Sequence, residues 1–403
     1  TLFPYTTLFR SVRYTYVKVT SGVLRARDEV RTISGVCKVA AILAPQGGRL
    51  LPMGEAHAGQ TAALAGLSAR PGERIGDGFG LEAPETVPLM SVQVEPMAPL
   101  TQSALLAHLR EMEEEDPLLS VRPEADGVSV GVMGAVQVEV LQGILAARFG
   151  DVVRMCPPHV LYKETIAAPV VGIGHYEPLR HYAEVWLKLE PGAPGSGISF
   201  AADCPPNSLD ENWQRLIRTH VFERAHPGVL TGSPLCDVRI RLIAGRAHLK
   251  HTEGGDFREA TCRAIRNALM QAENVLLEPV VRFELAMPNE ALARVTGELL
   301  RIGAQLDASE TDGGETTLTG RCTAAMFWDY PTRFAASTHG HGRIASRFER
   351  YEPCKNQDDI VRQSGYDPLA DTLNPPGSVF CSHGAGFYVA WDHVREWAHC
   401  EVE

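Results

Sequence analysis

Two short stretches carry residues suited to binding phosphate and stacking on bases. In Arg246–His251 (RAHLKH), Arg246, His248, Leu249, Lys250 and His251 follow one another within six residues of a chain whose net charge is −11. Cationic side chains pair with phosphates, and planar imidazoles stack on exposed bases. The stretch follows a run in which Val238, Ile240 and Leu242 alternate with Arg239 and Arg241, a strand with one buried and one basic face, which Ala244-Gly245 is expected to break. A helix should start after it, where Asp256 and Glu259 have capping-box spacing and Phe257, Ala260, Ala264, Ala268 and Leu269 line one face. The helix N-terminus adds partial positive charge, offset in part by Glu253 and Asp256. On residue chemistry alone, the alternative is a solvated basic loop with no partner. The second stretch, Glu177–Tyr182 (EPLRHY), offers Arg180, His181 and Tyr182 for the same work; the alternative is a turn whose tyrosine packs into the core.

Other chemistry is not supported. Glu113–Asp116 is a run of carboxylates before Pro117, read as a solvated helix end rather than a catalytic pair. The nine cysteines form no CxxC pair and are odd in number, so reduced thiols in a cytoplasmic protein are expected. Cys354, Cys381, His383, His399 and Cys400 lack zinc spacing, and His339-Gly340-His341-Gly342 reads as a turn, so no metal site is assigned. No nucleophile–base set emerges, and no catalytic residue is assigned. Hydrophobic residues at 44% and charged residues at 22% describe an ordinary globular chain. No apolar run reaches the roughly 18–20 residues of a membrane span, and the start of the chain has no secretory pattern. The acidic balance argues against a generally cationic nucleic-acid coat, so RNA contact must be local.

At roughly 150 residues per domain, the 403 residues suggest about three domains, with two to five plausible. Residues 1–11 (TLFPYTTLFRS) back-translate to a sequencing-adapter string and are set aside as a non-native segment. Residues 12–88 show short β-rich runs between Gly and Pro turns, which fits a small β-barrel or an irregular β-sandwich. Residues 89–166 read strand, helix, strand, strand, helix, strand. Leu105, Leu106, Leu109 and Met112 mark the first helix, Val140, Leu141, Ile144 and Leu145 the second, and Pro157-Pro158 the end of this ferredoxin-like unit. Residues 167–275 form a third α/β unit that carries both basic stretches. Residues 276–352 repeat the ferredoxin-like order, with a helix around Met326–Phe334 that Pro331 kinks or ends. The tail, 353–403, has no assigned structure.

Four stretches resemble elongation factor G and its relatives, the tetracycline-resistance ribosomal protection proteins. Tyr16–Val30 (YVKVTSGVLRARDEV) is similar to the start of the barrel that follows the GTPase domain. Val94-Glu95-Pro96, Glu115-Asp116-Pro117-Leu118 and Pro158–Ile166 (PHVLYKETI) resemble the next domain. Gly195-Ser196-Gly197 with Phe200, and Gly228–Gly245 (GVLTGSPLCDVRIRLIAG), resemble the translocase tip domain. Leu276–Pro279 and Arg333–Tyr351 (RFAASTHGHGRIASRFERY) resemble the final domain. The resemblance implies a translation-factor β-barrel followed by two ferredoxin-like domains flanking a tip domain, in a monomeric cytoplasmic protein that binds the ribosome. Arg246, His248, Leu249, Lys250 and His251 then form the tip loop that enters the decoding region, and Arg180, His181 and Tyr182 a second tip loop. GTP and Mg2+ are expected of the intact protein. This chain has no GxxxxGK[ST] or NKxD string, so it is expected to be the GTPase-free back part, inactive alone. At the place where protection proteins carry a Ser-Pro-Val-type tip, the chain has Leu249-Lys250-His251, which puts a drug-displacing wedge in doubt. The alternative is a free-standing RNA or protein interaction module.

Overall fold

The computed structural model describes residues 13–76, 78, 80, 81, 87–124 and 127–400. The segment 1–11 lies outside the described residues. The chain divides into two compact units at His159/Val160. Among the described residues, no helix is long and apolar enough to cross a membrane.

The first unit begins with eight short strands: β1 (Tyr14–Lys18), β2 (Val23–Arg25), β3 (Glu29–Thr32), β4 (Gly35–Lys38), β5 (Ala41–Gln46), β6 (Arg49–Met53), β7 (Glu55–His57) and β8 (Thr61–Ala65). The expected barrel is not closed. Among the described residues, β1-β8-β5-β6 is an open sheet, and β2–β7 and β3–β4 are separate two-stranded ladders, as are the strands β9 (Glu73–Arg74) and β10 (Gly80–Leu81). Closure requires strands long enough to tilt and carry an unbroken ladder around the axis. Here turns interrupt the chain every few residues, and β2 is only three residues long. Val30, Val39, Ile42, Ala56, Ala62, Leu64 and Leu67 nevertheless pack one core.

The same unit continues through β11 (Met90–Pro96), α1 (Gln102–Glu115), β12 (Arg122–Pro123), β13 (Val128–Val132), α2 (Ala135–Phe149) and β14 (Val153–Val160). The sheet order β12-β13-β11-β14 is that of a split βαβ unit. Thr101 caps α1, and Leu105, Leu109 and Met112 are its buried face. Only Leu141 and Leu145 are buried on α2, while Val140 and Ile144 face solvent. β14 runs through Pro157-Pro158 instead of ending there, because an edge strand tolerates residues without an N–H on its open side.

The second unit opens with β15 (Lys163–Ile166), β16 (Val170–Tyr176), β17 (Ala183–Pro191), β18 (Ile198–Ala202), α3 (Glu211–Phe222), β19 (Val238–Ala247) and α4 (Gly254–Gln271). β20 (Asn274–Pro288), α5 (Leu292–Arg301), β21 (Gln305–Asp312), β22 (Glu315–Thr323), α6 (Ala324–Phe327), α7 (Tyr330–Ser337) and β23 (Arg343–Pro353) follow. Here β20 lies between β23 and β22, with β21 outside, the same split βαβ order. The interruption expected at Pro331 falls just before it, between α6 and α7, and Pro331 itself sits in the first turn of α7.

The tail folds as α8 (Gln357–Ser364), β24 (Ser378–Ser382), β25 (Ala385–Val389) and α9 (Val394–Trp397). Its strands extend the sheet of the third α/β unit, giving β18-β19-β17-β16-β24-β25. One face of that sheet packs on α3 and α4 through Ile217, Phe257, Ala260, Ala264 and Ala268. The other packs on the tail through Ile173, Trp186, Phe380, Val389 and Val394. The helix α4 lies so close to β16 that glycine is required there. A Cβ on Gly174 would sit 1.8 Å from the Ala260 carbonyl oxygen, and one on Gly172 2.0 Å from that of Ala264.

Glu184, fully buried on β17, ties the tail to this sheet. Its Oε2 accepts the His399 N–H (2.8 Å) and lies 2.7 Å from His175 Nδ1. Its Oε1 accepts the Cys400 N–H (2.7 Å) and the Trp186 indole N–H (2.8 Å). Burial alone would raise this carboxyl, but His175, the two tail N–H groups and Trp186 hold it down to about 2.

Two predictions arise here. Gly174→Ala should destabilise the second unit by about 3 kcal/mol, because backbone of α4 must move; a urea midpoint equal to wild type would contradict the packing. Glu184→Gln should destabilise by about 3–5 kcal/mol near neutral pH, since a buried charged network loses its anion. The folded-state value lies below the unfolded one of 4.5, so the wild-type advantage is complete above that pH and fades as pH falls toward about 2. Urea titrations at pH 6 and pH 3 check this: the gap between wild type and variant should narrow at the lower pH.

Candidate nucleic-acid interface

β19 does not stop at Ala244-Gly245. A bulge opposite Trp186/Leu187 absorbs the irregularity, and the strand carries Arg246 to the end of the sheet. The turn beyond it holds His248, Leu249, Lys250 and His251, all exposed. Leu249 is completely open to solvent. The turn is internally tied: the His248 N–H donates to Thr252 Oγ1 (2.7 Å), and the Lys250 N–H to His248 Nδ1 (3.2 Å). The His248 and His251 rings stack with centroids 4.5 Å apart. α4 starts at Gly254, earlier than expected, and its capping box is Glu253 with Asp256. Asp256 therefore sits inside the first turn, where it accepts the Glu253 N–H at 2.8 Å.

The second stretch lies beside the first. Thr252 Oγ1 donates to the Tyr182 carbonyl (2.6 Å), and His181 Nδ1 is 2.8 Å from Asp256 Oδ1. Arg180 is exposed, with a left-handed backbone (φ 66°) that turns the chain. Tyr182 differs from its neighbours. It is 7% exposed, and its ring stacks on His399 and meets His175 edge-on. Burial and the charge of Glu184 raise its hydroxyl well above the usual phenol range, so it stays protonated, 3.1 Å from His399 Nδ1. Tyr182 thus supports the loop from beneath, the packed alternative read for it above.

An open groove of about 710 Å³ is lined by Tyr182, Arg246, Ala247, His248, Leu249, Lys250 and His399. None of these is acidic, so the groove is a cationic site on a chain of net charge −11. Arg246 Nη1 donates to the His399 carbonyl (3.3 Å). His399 was not among the expected contact residues, and its separation from Tyr182 along the chain hides the neighbourhood. Burial and the neighbouring His175 hold His399 below the usual imidazole range.

His175, Glu184 and His399 also bring potential metal-ligating atoms within 4.8 Å of one another. Both Glu184 oxygens already accept two hydrogen bonds each, His175 Nε2 lies 3.1 Å from Glu177, and His399 Nδ1 faces Tyr182. The cluster is chemically complete as a hydrogen-bond network, and an ion would have to break it.

Residues 158–273 match the family Elongation factor G, domain IV, and residues 275–360 match Elongation factor G C-terminus. The fold is similar to a crystal structure of a protein from Thermus thermophilus, with a TM-score of 0.58 and 24% identity. That similarity covers 87% of this chain and 55% of the other, so the chain spans about half the length of that protein. Both basic stretches lie inside the first matched range, and the tail from β24 onward lies outside both. The chain thus carries a domain IV and a C-terminal domain of the elongation factor G type.

Proposed function

We propose that this chain is the ribosome-contacting part of an elongation factor G-like translation factor, and that the turn His248–His251 is the tip that meets RNA of the decoding region. The observation that carries this reading is the position of the turn: a fully exposed cationic loop at the end of β19, within the range matched as domain IV. Cations in a groove with no carboxylate among its lining residues attract phosphates, and a stacked imidazole pair offers a planar surface to a base. Arg180 and His181 stand beside it as a second contact. Coupling to GTP hydrolysis with Mg2+ would belong to a longer protein that carries a GTPase domain. Tetracycline protection is the narrower reading allowed by the resemblance; an apex made of Leu249 between imidazoles and Lys250 favours the broader one. A free-standing interaction module would use some other surface.

Co-sedimentation with ribosomes tests the reading. The full chain should pellet with them, and His248→Ala combined with Lys250→Ala should weaken binding by about 10-fold, the scale of one lost stack and one lost phosphate contact. Binding that ignores both substitutions would favour the interaction module.

A further inference from the structure

The domain IV match ends at residue 273 and the C-terminal match at 360, yet the groove beside the tip is completed by residue 399. The last segment of the chain therefore reaches back across the sheet and supplies one wall of this cationic concavity. Four features of that wall bear on what it could hold. The His399 backbone is fixed, because its N–H and that of Cys400 are both spent on Glu184. The ring is held on three sides, stacked on Tyr182 and set edge-on to His175 and Phe380. The residue is nonetheless exposed toward the groove. Arg246, Lys250 and the His248 ring line the same groove, with no carboxylate among the lining residues.

We propose that this groove takes one nucleotide of single-stranded RNA, its phosphate between Arg246 and Lys250 and its base against the rings of His399 and His248. The proposal rests on the reading of the turn as RNA-contacting and adds the tail as a working part of the site. A bare anion would need the two cations but no rings. An acidic peptide would satisfy the charge but leave the imidazole surfaces without a planar partner. A nucleotide uses both, since base–aromatic stacking and phosphate pairing act together in single-strand recognition. A pre-fixed ring also loses little freedom on binding, which favours affinity.

The test uses the full chain and a 5′-fluorescein-labelled single-stranded RNA decamer, read by fluorescence anisotropy. Wild type should bind. His399→Ala should weaken binding about 10-fold, whereas His399→Phe, which keeps a ring on Tyr182, should stay within about 3-fold of wild type. His399→Gln keeps hydrogen-bonding atoms but no ring and should behave like His399→Ala. Limited proteolysis of each variant reports whether the tail remains docked, so that loss of the ring is separated from loss of the tail. Arg246→Ala should lower the slope of log affinity against log salt by roughly one. If His248→Ala and Lys250→Ala weaken binding while every His399 variant binds as wild type, the tail has no part in the site and the inference fails with the tip reading intact. If wild type does not bind the RNA, or no variant matters, both fail. Displacement of the RNA by inorganic phosphate or by polyglutamate at matching concentration would identify a simple anion site or an acidic-protein site and overturn the nucleotide assignment.

Discussion

A carboxylate taken out of water must be surrounded by donors, or its desolvation cost is not offset. Glu184 meets that demand with the Trp186 indole, His175 and two backbone N–H groups from the far end of the chain. Because those two groups belong to His399 and Cys400, one buried charge decides where the tail must lie. The tail in turn braces Tyr182 and Arg246 at the end of the β17–β19 ladder, and Thr252 ties the turn to the Tyr182 carbonyl. The same device recurs in this unit. Buried Glu164 accepts the N–H groups of Leu230, Thr231 and Ser233, and Asp237 accepts those of Gly195 and Gly197. Irregular backbone is thereby organised from inside by acids, while the groove beside the turn is lined by Arg246, Lys250 and imidazoles.

Much of this was legible from residue order. The spacing of Phe257, Ala260, Ala264 and Ala268 marks the buried face of α4, and alternation in Val238–Leu242 marks β19. Local pattern carries such information because helix and strand bury residues at fixed intervals. It fails where pairing is non-local. Short β-runs read as a barrel because propensity does not say which edges meet, and among the described residues they form an open sheet and small ladders. The strand break expected at Ala244-Gly245 is a bulge, a compensation that only the partner strand β17 reveals.

The candidate site divides the same way. Arg246, His248, Leu249, Lys250 and His251 are adjacent in sequence, so their shared exposure could be anticipated. His399 could not, since 217 positions separate it from Tyr182. Its neighbour Cys400 drew attention only as a metal-ligand type, whereas its contribution is a backbone N–H, a group every non-proline residue has and no composition analysis can single out.

The parallel pairing of β24 with β16 reaches beyond the groove. Among the described strands, β16 would otherwise be the outermost one of its sheet, presenting a row of open peptide groups that invites strand addition from another molecule. The closing hairpin joins that edge at one end, where Tyr176 pairs with Val379, and places a five-residue strand, Ala385–Val389, at the rim beyond it. A version of the chain shortened to the boundary of the matched C-terminal family would uncover, besides that end of the edge, the apolar face of Ile173 and Trp186, and would self-associate for reasons unrelated to the groove.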